Sequence, residues 1–87
     1  MTHYTMSHIP PLDLDVRPIF AAGRPPLVPI LNAVSRLQPG QSLRLIAPMQ
    51  PVPLYQMLSE RGFTAEPSER ADGSWEILFH PSAPTDV

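Results

Sequence analysis

The 87-residue chain contains no cysteine and no lysine. Without cysteine there is no disulfide, no thiolate metal site and no thiol nucleophile. All six basic residues are arginine, set against eight Asp and Glu, for a formal net charge of −2. A protein that tracks phosphates carries a basic surplus, so nucleic acid is not an expected partner. Charged residues make up only 16% of the chain, below the usual ~25%. The apolar runs fall far short of the ~20 residues that cross a bilayer. The opening MTHYTMSHIPP has neither the basic patch nor the apolar core of a signal peptide. These absences lead to the expectation of a cytoplasmic protein with no membrane partner.

What is abundant is proline, 13 residues, about three times the average usage of ~5%. The prolines are spread along the chain, and 43% of residues are hydrophobic, so the composition is globular. The length fits one domain. We expect flexible tails at 1–10 and 81–87 and a single domain at 11–80.

Periodicity supplies the elements. Leu12-Asp13-Leu14-Asp15-Val16 alternates strictly, which marks a half-buried strand with Leu12, Leu14 and Val16 inward. Residues 17–24 read as a loop. From Pro25 to Leu37 the apolar residues Leu27, Ile30, Leu31, Val34 and Leu37 follow helical spacing. Proline suits the first turn of a helix, where its missing N–H has no intrahelical partner. Pro29 therefore requires a helix that begins near Pro25 or Pro26. Gly40 ends this segment, and Ser42–Ala47 reads as a second strand. A strand, a helix and a strand predict a right-handed unit with the two strands parallel. Pro53–Arg61 reads as a second helix, closed by Gly62. Phe63–Arg70 is a third strand, which Pro67 confines to an edge. Asp72-Gly73 signals a tight turn, and Trp75–Phe79 alternates as a fourth strand. The expected fold is a two-layer α/β (α+β) sandwich, βαβαββ, with a four-stranded mixed sheet and two helices on one face.

The order of elements, with the local words LDVR (14–17), LQPGQSLRL (37–45), PLYQMLSERGF (53–63) and DGSWEI (72–77), resembles the TusA/SirA-like superfamily of sulfur-carrier folds. Within it the chain is most similar to an uncharacterised branch, domain of unknown function twenty-two forty-nine. The resemblance covers about residues 12–80. In the carriers a cysteine followed by Pro-x-Pro starts the first helix. Here Gly23 takes the place of the cysteine and Arg24 that of the first proline, while Pro26 keeps the second. The resemblance therefore implies a related fold that is unable to carry a persulfide. The branch often has a His-Asp-His-Asp-Pro run after the second strand, where this chain reads Ala-Pro-Met-Gln-Pro at 47–51. Relatives are similar to, and sometimes joined with, haemerythrin-like or nitrogen-oxide-handling proteins.

Three sites merit weighing. Open α/β sheets bind ligands beyond the carboxyl ends of parallel strands, which points to a crevice with Arg17, Gly23, Arg24, Met49, Gln50 and Tyr55. Two arginines near two helix starts suit an anion, although prolines remove N–H groups there. The plainer reading pairs Arg17 with Asp13 or Asp15. His3, His8 and His80 form no zinc spacing, so no metal or other cofactor is expected. Alternation places Asp13, Asp15, Arg44, Ile46, Glu76, Leu78 and His80 on the sheet face away from the helices. There Ile46, Leu78 and His80 form a possible partner patch or, equally, ordinary surface. No catalytic triad or phosphate loop is visible. We expect a small non-catalytic binding or adaptor domain with a protein partner, and a weak homodimer as one form of that pairing. The second reading is a small-ligand or metal-binding domain in redox or nitrogen-oxide metabolism.

Overall fold

The computed structural model describes residues 9–82. Seven elements follow in order: β1 (Leu12–Asp15), α1 (Arg17–Ala21), α2 (Leu27–Ser35), β2 (Leu43–Ala47), α3 (Val52–Ser59), β3 (Phe63–Glu69) and β4 (Trp75–Pro81). The sheet order is β1-β2-β4-β3. β1 pairs parallel with β2, while β4 runs antiparallel to both β2 and β3. The mixed four-stranded sheet of the sequence reading is present, with β3 and its Pro67 at an edge.

The core is one cluster in which Leu43, Leu45, Ile77 and Phe79 of the central strands meet Ile30 and Ala33 of α2 and Leu54 and Leu58 of α3. Both helices therefore cover the same sheet face. α2 lies over the β1 side and α3 over the β3 side. Burial on β2 alternates without exception from Leu43 to Ala47, which is the period-2 pattern of a sheet covered on one face.

The helix starts follow from proline chemistry. Pro26 is the N-cap of α2, and the first helical hydrogen bond runs from the Ile30 N–H to the Pro26 carbonyl, 3.1 Å. Pro29 is thus the last position whose N–H has no acceptor inside the helix. Pro53 sits in the first turn of α3 on the same terms.

Two expectations need correction. Residues 17–24 are not simply a loop, because Arg17–Ala21 forms the short helix α1 and makes three helices rather than two. Five residues complete little more than one turn, too few to show a period. The helix ends in a Schellman motif. The Gly23 N–H donates to the Phe20 carbonyl (2.9 Å) and the Arg24 N–H to the Ile19 carbonyl (3.0 Å), with Gly23 at φ +75°. This is the left-handed position that glycine occupies without strain. The second correction concerns the tail expected at 81–87. β4 continues to Pro81, which pairs with Phe63, and the Ser82 N–H donates to the Gly62 carbonyl at 2.7 Å. Of the tail expected at 1–10, the Pro10 carbonyl accepts a hydrogen bond from Gln41 Nε2 at 2.9 Å; residues 1–8, with His3 and His8, and 83–87 lie outside the described residues.

The chain enters β1 and leaves β4 at one end of the sheet, since Leu12 pairs with Leu43 and Leu43 with Phe79. The starts of α2 and α3 gather at the other end, beyond the carboxyl ends of β1 and β2.

Candidate functional site

At that second end lies a cavity of about 250 Å³. Val16 and Phe20 form one wall, and Pro26, Leu27 and Ile30 of the α2 start form another. Leu45 and Ala47 of β2 make the floor, and Met49, Gln50, Pro51, Pro53 and Leu54 close the side toward α3. Gln50 is the only polar side chain among these lining residues. The cavity exists because β1 and β2 diverge into two helices whose first turns are proline-rich. Proline rings there add apolar surface where other residues would present N–H groups.

The mouth is apolar as well. Among the described residues the exposed large hydrophobic ones are Leu27, Val28, Met49 and Val52, with Val28 65% and Val52 57% exposed. Leu27 and Met49 line the cavity, Val28 follows Leu27, and Val52 lies between the lining prolines 51 and 53. All four therefore cluster at one end of the molecule. Single exposed apolar residues are ordinary, but a group of them around a hollow marks a contact surface.

The six crevice residues anticipated from sequence divide. Met49 and Gln50 line the cavity. Arg24 is exposed in the loop between the lining residues Phe20 and Pro26, and it has no ion pair or side-chain hydrogen bond among the described residues. Gly23 closes α1 beside it. Arg17 is tied elsewhere: its Nε donates to Asp15 Oδ1 at 2.9 Å and its Nη2 to Asp15 Oδ2 at 2.7 Å, with Asp72 at 3.4 Å. This pairing holds the Asp15 carboxyl below the usual carboxylate range. Asp72 is also lowered, chiefly by hydrogen bonds from the Ser74 hydroxyl and N–H. Tyr55 packs its ring on Phe79, with centroids 6.1 Å apart. Its hydroxyl oxygen is buried with no hydrogen-bond partner among the described residues.

The opposite sheet face carries ion pairs. Across the strands Glu66, Leu78, Arg44 and Asp13 form one row, and Ser68, Glu76, Ile46 and Asp15 the next. Arg44 reaches Asp13 at 3.0 Å and Glu76 at 3.4 Å; Arg70 reaches Glu76 at 3.2 Å; His80 reaches Glu66 at 2.9 Å. Ile46 and Leu78 are diagonal neighbours, half-buried between these charges. Sequence reasoning missed the concentration of apolar residues at the cavity mouth. The signal was available in prolines 25, 26, 51 and 53 beside Leu27 and Val52, but helical period assigned Leu27 to the inner face of a helix, and Val52 falls in the stretch between the second strand and the second helix of the sequence reading.

Among the described residues no helix is long and apolar enough to cross a membrane, and no group of three or more metal-binding side chains occurs. Fold and site together define a small two-layer α+β domain with an apolar hollow at one end of its sheet. The chain belongs to the family described as uncharacterized conserved protein (DUF2249), whose model matches residues 13–81, from β1 to the end of β4. No curated protein and no solved structure matches it.

Proposed function

We propose that this protein is a non-catalytic binding module that holds a protein partner at the apolar cavity. The observation that carries the reading is the coincidence of the hollow with the four exposed hydrophobic residues. Its volume decides what kind of occupant fits. About 250 Å³ is below the ~300–1,000 Å³ of pockets that enclose drug-sized ligands, and it suits one large apolar side chain. Val28 and Val52 stand outside the hollow, so a small molecule inside would leave them wet. A partner that inserts one anchor residue covers them, in the manner of an interface hot spot. The sheet face around Ile46, Leu78 and His80 is the weaker surface, because its apolar residues are already half-covered by ion-paired neighbours.

The chain resembles the sulfur carriers in its order of elements but has no thiol, and the resemblance sets Gly23 in the place of their cysteine, which fits a module that binds without carrying sulfur. The second reading, a small apolar ligand in a redox or nitrogen-oxide setting, draws on the apolar lining. A metal is not favoured, because the lining supplies only the Gln50 amide and the Met49 thioether as donors.

The test is an amide NMR titration of the labelled protein with indole. Saturable shifts at 26–30 and 47–54, lost in Ala47→Leu, support the cavity as the binding site. Shifts confined to residues 44, 46 and 78, or none, sink it.

A further inference from the structure

The helix side of the cavity end is nearly free of charge, whereas Asp15, Arg17, Arg70 and Asp72 stand at the same end of the sheet, along its edge and in the β3–β4 turn. Segments 18–35 and 45–59 supply every lining residue except Val16, and together they contain one charged residue, Arg24. The other arginines have evident roles. Arg17, Arg44 and Arg70 are ion-paired. Arg36 is the C-cap of α2 and Arg61 follows the C-cap of α3, positions where the helix field favours a cation. Arg24 has no such explanation. It lies two residues before the N-cap of α2, the end of a helix that disfavours a cation. The five-residue α1 that precedes it is too short to set up a comparable opposing field.

The surroundings of Arg24 reinforce its sign. Neither α2 nor α3 has an acidic residue in its first turn or a side-chain cap. The Leu27 and Val28 N–H groups have no acceptor among the described residues. The segments that line the cavity thus carry one cation and no carboxylate, on a protein whose net charge is −2.

Building on the cavity reading above, we propose that the partner is acidic: a peptide segment with one large apolar anchor flanked by Asp or Glu. The anchor fills the hollow, and a flanking carboxylate pairs with Arg24. Arg24 is the one charge in the lining segments, so it favours an acidic over a neutral flank at this site.

The test uses the full labelled chain at low salt and three short synthetic peptides. One carries Phe flanked by Glu and Asp, one carries Phe flanked by Gln and Asn, and one keeps the acids but replaces Phe with Ala. The first should move the amides of Leu27, Ala47, Met49 and Val52 saturably. The second should bind about fivefold more weakly, as expected for loss of an exposed ion pair, with the difference shrinking as salt screens it. Arg24→Gln should erase the difference, and Arg24→Glu should reverse the preference. Arg24 is exposed, so both variants should keep the spectrum of the core.

Equal binding of the acidic and neutral Phe peptides overturns the role of Arg24 and leaves the cavity reading standing. Equal binding of the Phe and Ala acidic peptides overturns the cavity reading. So does a failure of every peptide to move cavity amides at millimolar concentration.

Discussion

Arg17 and Asp15 grip each other through two parallel contacts, Nε to Oδ1 and Nη2 to Oδ2, two residues apart at the end of β1. The pair turns Arg17 toward Asp72 in the β3–β4 turn and away from the cavity. This fork geometry is the strong form of an arginine–carboxylate contact, yet both side chains are more than a third exposed, so solvent screens much of it.

The pair makes a signed prediction about pH. Asp15 has a folded pKa below its unfolded value, with the Arg17 hydrogen bond as the main cause. Its contribution is fully present above the unfolded value, near 3.8, and is lost as pH falls through the folded one. Asp15→Asn should therefore lower the urea midpoint slightly at pH 7, and the gap to the parent protein should narrow as pH falls below 3.8. A gap that persists unchanged at pH 2 would contradict the assignment.

Proline tolerance in α2 should be sharply positional. Pro29→Ala should cost only about 0.4–1 kcal/mol, chiefly because the unfolded chain gains freedom. Asn32→Pro, one turn further on and exposed, removes a helical hydrogen bond and clashes with the preceding turn, for about 3 kcal/mol or more. Chemical denaturation of the two variants checks the contrast. Similar losses in both would move the helix start away from Pro26.

Gly23 isolates a backbone cost. An added Cβ meets nothing within 4 Å there, so any penalty comes from the backbone alone. Gly23→Ala should destabilise by about 1–2 kcal/mol, the cost of a left-handed non-glycine residue, and Gly23→Asn by less. Gly23→Cys should pay the same backbone cost as alanine. Thermal unfolding of the three variants reads this order, and an alanine variant as stable as the parent would contradict the Schellman closure.

Tyr55 and Phe79 should behave oppositely. Burying an unpaired hydroxyl costs about 1–3 kcal/mol, so Tyr55→Phe should leave stability unchanged or raise it. Phe79, 1% exposed at the centre of the core, should lose about 3–5 kcal/mol on replacement by alanine. A clear loss in Tyr55→Phe by urea denaturation would mean that the hydroxyl has found a partner in solution.

The residues that could be read in advance share a cause. Leu12, Leu14, Leu43, Leu45, Ile77 and Phe79 take their side of the sheet from strict alternation, a local property. Pro67 announces an edge strand by itself, and Asp72-Gly73 announces the turn. What could not be read depends on distant contacts or on the sum of many residues. Arg17 meets Asp72 across 55 positions, and Tyr55 swings onto Phe79 rather than into the crevice. α1 is too short for a period, and its boundary is set by hydrogen bonds that close at Gly23. The cavity arises where two helix starts meet, and neither segment contains it alone.

The described chain enters and leaves at one end of the sheet, and the hollow lies at the other. The molecule thus has a tethered pole and a free pole. Whatever precedes Ile9 or follows Ser82 joins the domain at the tethered pole, the end away from the hollow. Two copies anchored side by side at Ile9 or Ser82 would present their hollows in the same direction, as a field of parallel sockets.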